Sequence, residues 1–229
     1  MYSNSETEIN RGVFIFFLDD DNMSANRNLS LVEILEKILN YTSIDDRVRA
    51  KLRPGLSRQE IQAKVCHFNF PFSLPQEVEE LYQWHDGFDL DDYDCQLFHY
   101  HTFLTLDEAL ETWKDFQDDG FIQKDLLPLF TFEGEWYCIQ VEKTKQESGQ
   151  IWFVYHDDGI VYDSLKAMLF SILECYEVGA YQPILKNGRV YTEVDREKVA
   201  EVKLKYNRVR QQTLNQYEKH FSGDFYDHP

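Results

Sequence analysis

Apolar positions along the chain follow two periods, and the switches between them mark the elements. Ser30 precedes a segment in which Val32, Leu35, Ile38 and Leu39 fall on one helical face, and Glu33 completes a capping box with it. The same Ser/Thr-x-x-Glu signature recurs at Ser57–Glu60 and Thr105–Glu108, predicting helices near 58–67 and from 106 with Ala109, Leu110 and Trp113 inward. Between them, Pro75 suits the first turn of a helix reaching His85, with Val78, Leu81 and Tyr82 apolar and Gly87 as its left-handed stop. A strand is expected near 96–101. From 127 the period becomes strand-like. Segments 127–132 and 136–141 flank Glu133-Gly134-Glu135, and 150–156 and 160–162 flank Asp157-Asp158-Gly159, an Asp-Gly hairpin signal. Asp163 or Ser164 then opens a helix carrying Leu165, Met168, Leu169, Ile172 and Leu173. A hairpin around Asn187-Gly188 follows. Asp195 starts a long polar helix reaching toward His220, with Val199, Val202, Tyr206, Val209, Thr213 and Gln216 as a narrow seam.

Helices, then antiparallel hairpins, then a helix predict an α+β fold, since hairpins leave no room for helical crossovers. Three stretches are expected: an N-terminal extension at 1–51, a central domain at 52–185, and a C-terminal hairpin and polar helix at 186–229. The apolar run 13–18 (Val13, Phe14, Ile15, Phe16, Phe17, Leu18) ends in three aspartates. It is too short to span a bilayer and reads as a strand or a core-plugging extension.

Charge narrows the function classes. The 229 residues carry 41 Asp and Glu against 23 Lys and Arg, a net −18, which disfavours nucleic acid and anionic membrane and attracts basic surfaces. Residues 195–221 go the other way, with seven Lys and Arg against four Asp and Glu. That suggests a basic helix lying on its own acidic body, or else a partner-binding arm or dimer seam. The four cysteines (66, 95, 138, 175) are scattered, which predicts buried reduced thiols and a cytoplasmic setting. Trp84, Trp113, Trp136 and Trp152 sit in periodic segments and are expected in the core.

Catalytic signatures are missing from the sequence: there is no Gly-x-Ser-x-Gly, phosphate loop, dinucleotide fingerprint or His-Glu-x-x-His. His99 and His101, if on a strand, would share a face and with His85 and nearby aspartates offer a metal site, the basis of a metal-dependent hydrolase alternative. The competing reading is a solvated acidic loop followed by a half-exposed strand. No cofactor, catalytic residue or metal ligand is assigned.

Several segments in order resemble the SUKH superfamily, which includes fungal cell-wall-assembly regulators and bacterial immunity proteins. They are Ser57-Arg58-Gln59-Glu60-Ile61, the helix from Leu74-Pro75 through Tyr82 to Trp84-His85-Asp86-Gly87, and Phe103 to Trp113. Leu127-Pro128-Leu129-Phe130, Glu133 to Ile139, and a strand ending at His156 to Gly159 complete the match over about 52–180. The usual Asn-Gly at the helix end is Asp86-Gly87 here. The resemblance implies helices packed on one antiparallel sheet, no catalytic residues, and a protein partner. That partner would be a basic toxin for an immunity-type protein, or an endogenous protein for a regulatory or scaffold module. The acidic loop residues Asp86, Asp89, Asp91, Asp92 and Asp94 are the first expected contact for it.

Overall fold

A computed structural model of the chain describes residues 29–43, 47–88, 96–120, 122–155, 159–186 and 189–207. Helix α1 (Leu31–Thr42) opens on Ser30, whose hydroxyl accepts from the Glu33 amide while Glu33 reaches back, so the capping box forms as expected. Its buried face is Leu31, Ile34, Leu35, Ile38 and Leu39, whereas Val32, expected inside, is exposed. Leu31 and the pairs 34/35 and 38/39 hold one stripe, and position 32 lies about 100° round the helix from 31.

A short helix α2 (Arg47–Lys51) leads into β1 (Leu52–Pro54) and then α3 (Arg58–His67), opened by the Ser57–Glu60 box. Helix α4 (Gln76–Trp84) buries Val78, Leu81 and Tyr82. It does not stop at Gly87. The backbone turns extended at His85 and runs on as β2 (His85–Phe88), paired antiparallel with β1. Gly87 lies inside this strand at φ +72, where a Cβ would sit 2.4 Å from the Thr105 nitrogen. Glycine is needed there for close backbone approach rather than for ending a helix.

Strand β3 (Thr102–Phe103) precedes α5 (Leu106–Asp119), which carries the third capping box and ends on left-handed Gly120. Four strands follow: β4 (Leu126–Phe132), β5 (Glu135–Gln140), β6 (Ile151–Val154) and β7 (Gly159–Tyr162). The five form one antiparallel meander in the order β3-β4-β5-β6-β7. Glu133 and Gly134, both at positive φ, make the β4–β5 turn.

Helix α6 (Leu165–Glu177) starts at N-cap Ser164 and buries all five expected apolar side chains. Strands β8 (Tyr181–Lys186) and β9 (Arg189–Val194) pair as a separate hairpin, and α7 (Arg196–Tyr206) follows from N-cap Asp195.

The fold is therefore α+β, with helices packed on one five-stranded antiparallel sheet. One sheet face sends Leu127, Phe130, Ile139, Ile151 and Tyr162 into a core shared with every long helix. The other bears a small cluster of Leu126, Cys138 and Val154, with Trp136 and Trp152 half-buried beside it. Helices α1 and α6 run parallel. Lys166 of α6 acts on Glu33 at the start of α1, and Tyr41 stacks on Tyr176 at their far ends, 5.4 Å between centroids. Helix α7 lies on α6 through Val199 and Val202, and its end is pinned to Glu174 by Lys205 and by the Tyr206 hydroxyl at 2.7 Å. The described part of the basic tail helix thus rests on the body of the same chain. Val209, Thr213 and Gln216 lie outside the described residues, as do residues 1–28.

Candidate functional site

The structure places Asp86 inside, not on a contact surface. It is 2% exposed, and its Oδ1 accepts from the Leu106 amide at 2.8 Å, joining β2 to the first turn of α5. Burial raises its pKa from the usual aspartate value, partly opposed by that hydrogen bond and by Lys64 and Arg53. An inward carboxylate holding a helix start cannot meet a partner, so Asp86 leaves the set of expected contacts. Asp89, Asp91, Asp92 and Asp94 lie outside the described residues.

His99 and His101 lie close, their rings stacked with 6.4 Å between centroids, but the three histidines do not gather into one ligand set among the described residues. His85 packs edge-on to Trp84 and its Nδ1 sits 2.7 Å from the Arg53 carbonyl. His99 and His101 do not alternate along a strand, because residues 98–101 form a tight turn. Phe98 bridges His101, the Gln96 side chain accepts from the Tyr100 amide, and His99 and Tyr100 take positive φ. Among the described residues, no group of three or more His, Cys, Asp or Glu could hold a metal ion.

The turn is instead a docking point for the C-terminal hairpin. His99 stacks flat on Tyr181 with 4.9 Å between centroids, and Tyr100 donates to the Thr192 carbonyl at 3.2 Å. Burial pushes both imidazoles down to about 4, helped by Lys203 nearby, so they are neutral at pH 7. His101 Nδ1 faces the His99 carbonyl, while its buried Nε2 has no hydrogen-bond partner and lies 3.8 Å from Glu135. The cavity beside His99, lined in part by Thr42, Val48 and Pro183, holds about 10 Å³, room for a single water.

A half-buried carboxyl that the pattern of residues gave no reason to single out joins two helices. Glu77, in the first turn of α4, accepts from the Leu165 amide at 3.0 Å, and burial pushes its pKa up to about 7.

The cysteine and tryptophan expectations hold only in part. Cys138 and Cys175 are buried, but Cys66 is exposed on α3; Cys95 lies outside the described residues. Trp113 is buried and donates to the Lys124 carbonyl, whereas Trp84, Trp136 and Trp152 are half-buried at the surface of the core.

What α5 presents to solvent is acidic. Opposite its buried Ala109, Leu110 and Trp113, the exposed positions 107, 111, 115 and 118 are Asp, Glu, Asp and Asp at steps of four, four and three. Only Lys114 interrupts this ridge, and Lys64 of α3 pairs with Asp107. The helix C-terminus adds its negative dipole end beside Asp118. The spacing was readable in the sequence as the polar side of the same period that predicts the apolar face.

The family model for the SMI1 / KNR4 family (SUKH-1) matches residues 56–171, half of the chain. The chain belongs to that family. Among curated proteins no sequence matches it. The matched stretch runs from the turn before α3 into the middle of α6 and takes in the whole five-stranded sheet. SMI1 / KNR4 domains are generally non-catalytic and are associated with protein–protein interaction. No helix among the described residues of this member is long and apolar enough to cross a membrane.

Proposed function

We propose that this SMI1 / KNR4 domain is a non-enzymatic protein-binding module of the immunity type, which neutralises a basic toxin by covering its cationic surface. The net charge of −18 carries the reading, together with the acidic ridge displayed by α5. A field of that sign speeds encounter with a cationic protein and penalises anionic competitors. The neutral, tightly packed histidines and a cavity the size of one water give a small substrate no room beside them, which favours a surface function. The acidic residues Asp89, Asp91, Asp92 and Asp94 are a second part of the proposed contact.

Co-expression with the product of a neighbouring toxin gene tests this. Growth rescue is expected, with a complex that weakens steeply between 50 and 500 mM salt and is lost in Glu111→Lys/Asp115→Lys. Rescue that ignores both salt and charge reversal refutes charge-driven capture. The second reading, a regulatory or scaffold module for an endogenous partner, rests on the basic character of 195–221. It predicts that deleting 195–229 abolishes a pull-down while the domain stays folded. The packing of α7 on α6 already gives the first part of that helix a structural role, which favours the immunity reading.

A further inference from the structure

An antiparallel sheet with one face toward water normally alternates apolar residues inward with polar residues outward. The outward positions here break that alternation. On β5 they include Trp136 and Cys138, on β6 Trp152 and Val154, and on β7 Ile160, which lies opposite Trp152. Cys138 and Val154 are fully buried, and the two indoles that pack against them are half-buried, as is Ile160. Large aromatic side chains left partly open on a sheet face mark a contact surface more often than a solvated one. The edge beside them is closed to added strands. Ile160 and Tyr162 pair with the consecutive residues Trp152 and Ile151, so Val161 is a bulge, which twists an edge strand away from partners. A partner therefore meets the face.

Charge decides what kind of partner fits. Strands β4 to β7 contain no lysine or arginine, and their one charged residue is Glu135. Phe116 of α5 meets Trp136 edge to face, 5.2 Å between centroids, so the helix carrying Glu111, Asp115 and Asp118 borders the aromatic surface. Against these carboxylates stand Lys114 on the same helix and Lys124 just beyond it. Indoles bordered by carboxylates suit arginine. Its planar, weakly hydrated guanidinium stacks on an aromatic ring and forms two-pronged pairs with a carboxylate. The compact ammonium of lysine is strongly hydrated and does neither as well.

We propose that the outer sheet face at Trp136, Trp152 and Ile160 docks an arginine-bearing protein segment, whose guanidinium groups stack on the indoles and pair with the carboxylates of α5. This role rests on the protein-binding reading above and adds to it a second half of the contact and a preference for arginine over lysine.

The test titrates the full chain with a short peptide of alternating arginine and serine and with its lysine counterpart, following the four indole N–H signals by NMR. The arginine peptide is expected to bind about five-fold more tightly and to shift Trp136 and Trp152, while Trp84 and Trp113 stay in place. Because this readout uses the unaltered protein, it does not depend on a variant folding. Trp136→Leu should then abolish the preference, and Trp84→Leu should keep it. Equal affinity for the two peptides overturns the proposal, because only general attraction between charges is then at work. No shift at Trp136 and Trp152 also overturns it, since the face is then closed by other parts of the chain. So do shifts that follow dilution of the free protein, because the occupant is then a second copy. Arginine preference without toxin rescue supports this surface and counts against the immunity reading; rescue without the preference does the reverse.

Discussion

Replacing Glu77 by glutamine should stabilise the protein at pH 8 and leave it unchanged at pH 4. Two effects compete at this carboxyl. The amides at the start of α6 favour the charged form, as helix N-termini do for anions. Removal from water disfavours it, and burial is the larger effect, raising the pKa from 4.5 to about 7. The folded chain therefore keeps a proton between pH 4.5 and about 7 that the unfolded chain has released, so stability falls as pH rises through that window. The ceiling is about 3 kcal/mol, and partial solvent access at Glu77 reduces this to roughly 1–2 kcal/mol. Glutamine keeps an oxygen for the Leu165 amide and has no charge to bury, so the penalty disappears while the hydrogen bond stays. Urea denaturation of both proteins at pH 4 and pH 8 measures it, with equal slopes confirming a shared unfolded state. A mutant less stable at pH 8, or a difference that is the same at both pH values, refutes the reasoning. The helix amides would then have kept the carboxylate charged at low cost.

The imidazoles act in the opposite direction. Their folded pKa values lie near 4 against 6.5 for the free side chain, so their contribution is complete above pH 6.5 and is lost as pH falls through 4. In the Glu77→Gln background, His101→Phe should lower the pH slope of stability in that window by about 1.4 kcal/mol per pH unit; an unchanged slope places the titration elsewhere. Leu35→Ala, at a fully buried position of α1, should cost roughly 2–5 kcal/mol in the same assay, and a loss under 1 kcal/mol would show that α1 is peripheral. Gly87→Ala combines positive φ with a Cβ 2.4 Å from backbone nitrogen, so a loss of more than about 3 kcal/mol or no folded protein is expected; a wild-type melting temperature contradicts the close approach.

Much of the fold was legible because it is local. Three capping boxes, the Glu133-Gly134 turn and the apolar stripes of α4, α5 and α6 depend on residues within a few positions of one another. The errors arose where distant contacts decide. His99 and His101 alternate as a strand would, but the Gln96 side chain and the stacking of Tyr181 close the segment into a turn. Gly87 reads as a helix stop, yet its conformation serves the approach of β2 to Thr105. Asp86 looks like one more acid in an acidic loop, and only the position of α5, twenty residues on, turns it inward. Glu77 and Leu165 are 88 residues apart, so no periodicity connects them.

Helix α1 lies wholly before residue 56, where the family match begins, yet its aliphatic side chains fill the same interior as α4 and α6. A fragment cut to the recognisable stretch would lose one wall of that interior and display a broad greasy groove. Such a piece would stick to many proteins for reasons unrelated to its role. Partners sought with it would be those of a damaged molecule, so any search for the natural ligand has to begin with the chain left long at its front end.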